Sequence, residues 1–439
     1  MSDTHSATVA YVRDTMLPAG PPPTRQSGAV LWLRENLFSG PVNIALTLGA
    51  LAVIWYLASG IFPWLRASVW TANNLSECRS IITASFGEGA TGACWAMVRE
   101  RWTQFVFGFY PSHLYARPVL AFVLLLAALA PVLFPRVPRL MLAFTAIYPA
   151  LAYWLLWGGT VWWPAMIVAG PVLGWLALRS LAHQVSGALA MAAAVAVTLI
   201  WWALAVGPVS GTLEGVIPLS IEAVRSDRFG GFLLSITIGV AGIAMSLPLG
   251  IVLALARRSN MFIVKTLAVI FIEFIRGVPL ITLLFVASLL LNYFLPPGTN
   301  FDIVLRVVIM VTLFAAAYMA EVIRGGLAAL PRGQYEAADA LGLDYWQAQR
   351  LIILPQALKI SIPGIVSTFI GMFKDTTLVV FVGLLDPLKG ITDSVRASTD
   401  WKGIYWEPYI FVGAIFFVFC YAMSRYSMHL EQRLKREHR

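Results

Sequence analysis

Apolar residues in this chain come in long runs separated by short polar breaks. Five runs lie near 42–62, 117–135, 139–157, 162–180 and 187–206, and five more near 231–256, 278–294, 303–324, 361–385 and 407–427. Each is close to the ~20 residues that an α-helix needs to cross ~30 Å of hydrocarbon. In lipid a helix also satisfies its own backbone polar groups, which an open strand or loop does not. The pattern therefore predicts an all-α polytopic membrane protein with about ten transmembrane helices. No clear internal repeat relates the two sets, so residues 41–206 and 207–439 read as different modules. Ahead of them, Pro18, Gly20, Pro21, Pro22 and Pro23 block regular structure, and 29–38 is a short amphipathic stretch suited to the membrane interface. Residues 1–40 thus read as a tail ending in an interfacial helix.

One stretch, 331–359, breaks the apolar pattern and is too polar to lie within a bilayer. Pro331, Arg332 and Gly333 interrupt the preceding helix, and Gln334–Leu341 has the composition of a short helix. Gly342 suits the left-handed residue that ends one. Asp344 can cap a second helix, with Gln347 completing a capping box, and Pro355 is expected to stop or kink that helix as the chain returns to the membrane. Small Ala337 and Ala338 would admit a partner surface closely, with Glu336, Asp339, Asp344 and Arg350 offering charge-assisted contacts around it. The stretch reads as a cytosolic handle.

Composition agrees with the pattern. Only 12% of the 439 residues are charged, against roughly 25% in soluble domains. The net charge of +9 would elsewhere suggest nucleic acid, but no dense basic run or aromatic-interleaved stripe is present. Excess Lys and Arg instead marks cytoplasmic loops. Arg136, Arg139 and Arg179 mark two such loops, whereas the turn Gly158-Gly159-Thr160-Val161 has no positive charge. That phase puts both termini in the cytoplasm and 63–116 outside. Arg257-Arg258 and the basic end Arg433, Lys435, Arg436 and Arg439 follow the same phase. No basic segment, short apolar run and cleavage site mark a secretory signal in residues 1–40, so the first membrane helix is expected to direct insertion. In the aromatic-rich loop 63–116, Cys78 and Cys94 are either two free thiols or, in an oxidising compartment, a disulfide.

Candidate chemistry is sparse. His5, His113, His183, His429 and His438 are scattered, so neither a catalytic nor a metal-binding constellation is expected. No G-x-x-x-x-G-K-[ST] phosphate loop occurs. Arg276, before Gly277 and Pro279, suits a charge left at a helix entry, and Glu321 and Arg324 are spaced to pair on one helical face. Lys374-Asp375 differs, lying about thirteen residues into an expected span. A charge at bilayer depth costs on the order of 3 kcal/mol, and helical neighbours in sequence diverge by about 100°, so each needs its own partner or a wet cavity. A zwitterionic amino acid offers both complements, with Thr376 and Thr377 as hydroxyl partners; a structural interhelical charge network is the alternative.

The spacing Glu336-Ala337-Ala338, Gly342, Ile352, Leu354-Pro355 resembles the loop that marks permease subunits of bacterial ABC importers. Arg276-Gly277-Val278-Pro279-Leu280, Glu321 to Gly326, Gly333-Gln334 and Lys374 to Leu378 resemble the polar amino-acid branch, over roughly 225–430. The extra N-terminal runs and the loop from Cys94-Trp95 to Tyr110-Pro111 resemble the long permeases of proteobacterial general L-amino-acid importers. The resemblance implies a five-helix type I permease core in 207–439, an accessory five-helix module in 41–206 and a coupling loop at 331–359. It also implies ATP-driven import of L-amino acids by alternating access at the inner membrane. The implied partners are a second permease subunit, two copies of a cytosolic ATPase that holds ATP and Mg, and a periplasmic amino-acid-binding protein. An ion-coupled secondary transporter is the competing reading; it calls for paired broken helices and repeats and leaves the handle unexplained.

Overall fold

The computed structural model describes residues 28–290, 293 and 302–436. The expected tail at 1–27, the last part of the run expected at 278–294, and Arg439 lie outside the described residues. The described residues form two compact units: 28–69 together with 79–93, and 70–78 together with the described residues from 94 to 436.

The first unit holds α1 (Ala29–Asn36), α2 (Pro41–Arg66) and the larger part of α3 (Leu75–Phe86). Pro41 opens α2 where its missing N–H costs nothing. The helix is apolar on every side and buries none of its residues, the pattern of a membrane span. Its exit is tied by Ala93 N donating to Trp64 O (3.0 Å) and Val69 N donating to Ala93 O (2.8 Å).

The second unit begins with α4 (Ala96–Phe107), α5 (Ala116–Leu133), α6 (Met141–Trp157) and α7 (Trp162–Leu181). Then α8 (Gly187–Ile200) runs through a π-turn, Trp201–Ala205, into α9 (Val206–Val216). The sequence suggested an apolar run ending near 206, yet the apolar helical run continues to Val216. The reason is tertiary: the Trp201 and Trp202 indoles donate to Met166 O (2.8 Å) and Ile167 O (2.9 Å) of α7, fastening a turn that Gly207 and Pro208 would otherwise loosen. A two-residue antiparallel pair, β1 (Gly159–Thr160) with β2 (Ser220–Ile221), ties the α6–α7 turn to the segment after α9.

The core helices follow: α10 (Gly231–Arg258), α11 (Phe262–Gly277), α12 (Leu280–Phe285) and α13 (Ile303–Ala328). The α11 segment, left between the runs expected at 231–256 and 278–294, is an apolar helix that meets Leu280–Ser288 at 104°. Pro279 explains the bend, because it lacks an N–H and forces the residue before it out of the α region; Val278 is extended. The run expected at 278–294 therefore starts as the second limb of a broken pair. Among the described residues, eight helical runs are long and apolar enough to span a membrane, nine with the bent pair counted as one, and α6 is a shorter apolar helix.

Helix α13 is the most enclosed, with Val304, Val307, Val311, Ala315, Met319 and Ile323 among the core. Gly326 allows backbone contact with the helix beside it, since a Cβ there would fall 2.5 Å from Ala357 O. After α13 come α14 (Gly333–Ala340), α15 (Tyr345–Ala348), a π-turn at Gln349–Ile353, and α16 (Leu354–Asp375). A 3-10 turn (Thr376–Val382), α17 (Pro387–Ala397) and α18 (Trp406–Arg436) complete the chain. Pro355 does not stop the helix: the chain stays helical from Tyr345 to Val382. The ladder loosens into the π-turn just upstream, which removes the clash of a proline ring with the carbonyl four residues back.

On the side opposite the α14–α15 loop, Cys78 and Cys94 are joined, with Cα atoms 6.3 Å apart. Cys94 N donates to Glu407 Oε1 (2.6 Å) and Trp401 Nε1 donates to Glu100 Oε2 (2.8 Å), so the segment from Cys94 to Glu100 is tied to the start of α18 and the residues just before it.

Candidate functional site

The α14–α15 loop is a rigid object. Leu343 N donates to Ala338 O (3.2 Å) and Gly342 N to Asp339 O (2.9 Å), the paired bonds of a Schellman end, with Gly342 left-handed at φ +67°. Asp344 accepts from Gln347 N (2.8 Å) while the Gln347 side chain accepts from Asp344 N (3.2 Å), closing the capping box. Glu336, Ala337, Asp339, Gly342 and Asp344 are all exposed. Ala338 is not: it is fully buried within its own chain, so the expectation that both alanines face a partner is corrected to Ala337 alone. Packing of α14 against the core helices turns Ala338, the sixth of its eight residues, inward. Sequence reasoning missed the apolar contribution, since Leu341, Tyr345 and Trp346 are exposed on this polar loop, Trp346 by 70%. Their signal was visible as large apolar side chains flanking Gly342.

Beneath the loop, Arg258 at the end of α10 donates to Tyr335 Oη (3.0 Å) and Leu327 O (3.2 Å), and its guanidinium lies over the Tyr335 ring at 5.6 Å. Gln356 Nε2 donates to Gln334 Oε1 (2.9 Å), joining α14 to α16. The loop is thus bolted to two core helices at once.

Next to Arg258 lies a charge cluster. Glu321 accepts from Arg257 at 2.7 Å through one oxygen and from Arg324 at 2.9 Å through the other, with Arg276 at 3.7 Å. Glu273 adds contacts to Arg257 (2.8 Å) and Arg276 (4.0 Å), and Arg276 lies over the Tyr318 ring at 5.5 Å. Three guanidiniums and two carboxylates clamp α10, α11 and α13 together. The Glu321–Arg324 pair was legible from spacing. Arg257 and Glu273 were not, because the first read as a topological charge and the second sits in a segment not recognised as a helix.

Lys374 and Asp375 close α16, which begins at Leu354, upstream of the expected 361, and both lie within the helical run Tyr345–Val382 that is long and apolar enough to span a membrane. Their depth is within the bundle: neighbouring Phe373 packs on Phe416 (5.4 Å) and Phe419 (5.6 Å), well inside the 31-residue α18. Lys374 is exposed, while Asp375 and Thr377 are half-buried, and among the described residues neither charge forms an ion pair. Thr376 is fully buried and donates to Phe373 O (2.7 Å), so it is withdrawn from any lining surface. Thr377 donates to Lys374 O (2.9 Å) and keeps its oxygen free to accept. Among the described residues no group of three or more His, Cys, Asp or Glu could hold a metal ion.

Comparison with known proteins adds to this geometry. The family described as binding-protein-dependent transport system inner membrane component matches residues 246–436. The chain is 61% identical, over 100% of both sequences, to the glutamate/glutamine/aspartate/asparagine transport system permease protein BztC of Rhodobacter capsulatus. It is 38% identical to the inner membrane amino-acid ABC transporter permease protein YhdY of Escherichia coli, over 95% of this chain and 96% of that one. A crystal structure of an amino acid ABC transporter with histidines covers 46% of this chain and 91% of its own, at 32% identity and a TM-score of 0.41. With apolar spans throughout, a capped polar loop bolted to the core and relatives matched end to end, this chain belongs to the binding-protein-dependent transport family, as an inner-membrane permease of an amino-acid ABC transporter.

Proposed function

We propose that this permease moves acidic amino acids and their amides, glutamate, glutamine, aspartate and asparagine, from periplasm to cytoplasm. The observation that carries this reading is the 61% identity over the full chain to a permease named for those four. Both termini and the α14–α15 loop lie in the cytoplasm, as the distribution of Arg and Lys supports. Two copies of a cytosolic ATPase hold ATP and Mg, a second permease completes the pathway, and a periplasmic amino-acid-binding protein delivers substrate; this chain itself binds no nucleotide and catalyses no reaction.

The exposed face made by Glu336, Ala337, Asp339, Gly342 and Asp344, with Leu341 and Trp346, is the ATPase contact. Motion of α14 passes to α10 through Arg258 and Tyr335 and to α16 through Gln334 and Gln356. Helix α16 ends at Lys374 and Asp375, which, with Thr377, meet the carboxylate and ammonium of the substrate as the cavity alternates between the two sides. Thr376 holds the helix end in shape instead of touching substrate.

The test is uptake into proteoliposomes that contain the purified complex, with ATP hydrolysis followed in parallel. Labelled glutamate should enter only with ATP inside, and glutamine, aspartate and asparagine should compete while lysine and leucine do not. Gly342→Ala, whose Cβ is strained at φ +67° by about 1–2 kcal/mol, should keep hydrolysis and lose uptake at least tenfold. Uptake that follows an ion gradient without ATP would overturn the reading.

A further inference from the structure

A cavity of about 560 Å³ lies between the end of α5 and the end of α18, lined by Phe134, Pro135, Arg136, His429, Gln432 and Arg433. We propose that it is a binding site for the phosphodiester headgroup of an anionic phospholipid.

The first argument is position. Phe232 near the start of α10 packs on Phe416 of α18 at 4.9 Å, and the chain enters α5 from Tyr110 against Phe229 beside that same end (5.5 Å). Helix α18 follows α5 in the same direction, from Phe419 on Phe122 (6.3 Å) to Tyr426 on Phe134 (6.4 Å). The far end of α10 carries Arg258 beneath the α14–α15 loop, so the far end of α18, with Arg433, faces the same side of the bundle. The end of α5 is fixed there too, because Tyr426 Oη donates to Leu133 O at 2.6 Å. Basic pockets between membrane helices at this face are where acidic headgroups bind.

Chemistry is the second argument. Two guanidiniums, Arg136 from a loop and Arg433 from a helix, line one cavity, and none of the described residues lining it is acidic. A guanidinium presents forked donors that match the oxygens of a phosphate. His429 and Gln432 add further donors from the same helical face, at spacings of three and four residues.

The third argument separates a lipid from free phosphate. Phe134 and Pro135 form an apolar wall, and Val132 and Met428, beside the cavity on the same two helices, are both exposed. A free anion has no use for such a wall, whereas a glycerol backbone and the start of an acyl chain do. The site is also preformed: the Phe134 ring meets Tyr426 edge-on at 6.4 Å, and Pro135 limits the backbone beside Arg136.

The experiment is native mass spectrometry of the purified membrane complex, titrated with phosphatidylglycerol, phosphatidylcholine or inorganic phosphate. The wild type should retain phosphatidylglycerol at a saturable site, and Arg136→Gln and Arg433→Gln should each weaken it about fivefold, the share of one basic residue in attraction to an anionic surface. Arg179→Gln, at a different loop, should leave retention unchanged. Equal retention by the double variant, equal binding of phosphatidylcholine, or displacement by inorganic phosphate at similar concentration would each overturn the proposal. A wild-type readout independent of folding defects is a phosphatidylglycerol with a photoreactive headgroup. It should label peptides containing 134–136 and 429–433, and labelling confined to other segments would overturn the proposal as well.

Discussion

At the scale of the residue, Glu321 is one carboxylate shared by three guanidiniums, and its side chain is 15% exposed, against 46% for that of Arg324. Removing the charge at the centre leaves arginines facing one another in a partly enclosed site. Breaking a buried pair by deleting one member costs about 3–5 kcal/mol, whereas an exposed pair is worth about 1 or less. Thermal unfolding of the purified protein should therefore show Glu321→Gln losing several degrees, on the order of 3 kcal/mol, and Arg324→Gln losing little. Equal losses would mean that Arg257 and Arg276 do not share the load. Spacing alone revealed the Glu321–Arg324 contact, since residues three apart on a helix are neighbours. The contribution of Arg257 is invisible to spacing because it comes from another helix, 64 positions away in sequence.

At the scale of the element, the short helix α17 shows a cap that titrates. Asp386 is fully buried at its N-terminus and accepts from Leu388 N and Lys389 N, both at 3.0 Å. Burial pushes its carboxyl up to about 6, and the two backbone N–H bonds only partly counter that, from an ordinary value of about 3.9. Because the folded value is the higher one, the protonated acid stabilises the folded state. That contribution is complete below about pH 4 and is lost as the pH rises through about 6. Hydrogen-exchange protection at Leu388 and Lys389, corrected for the intrinsic pH effect, should fall between pH 5 and 7. In Asp386→Asn, which keeps the acceptor without the charge, the profile should be flat; a profile like that of the wild type would assign the titration elsewhere. The cap is a local feature of Asp386 before Pro387, whereas its pH behaviour follows from burial.

At the scale of the whole molecule, the bond between Cys78 and Cys94 closes a loop of 16 positions, worth about 3 kcal/mol in the chain-entropy estimate. Cys78→Ser should lower the unfolding temperature in oxidising buffer and make reductant without further effect. Alkylation of Cys78 and Cys94 themselves on the unreduced native protein, located by peptide mapping that separates them from the free Cys420, would show instead that both thiols are free. What the chain determines alone is its partition between lipid and water: runs of apolar residues and the placing of Arg and Lys decide that it is a helical membrane protein, and the capped polar loop at 331–359 is legible because caps, turns and left-handed glycine are local. The tertiary structure decided what depends on residues distant in sequence. Trp201 and Trp202 bonded to α7 carry the helix past 206, and Pro279 turns α11 against its successor when neighbours give both limbs a place to pack. Packing also turns Ala338 inward and Thr376 away from any lining surface, and it gathers Arg257, Glu273, Arg276, Glu321 and Arg324 from three helices. Local propensity reports the conformation of a segment, but which side a residue presents, and to whom, is settled only when the helices meet.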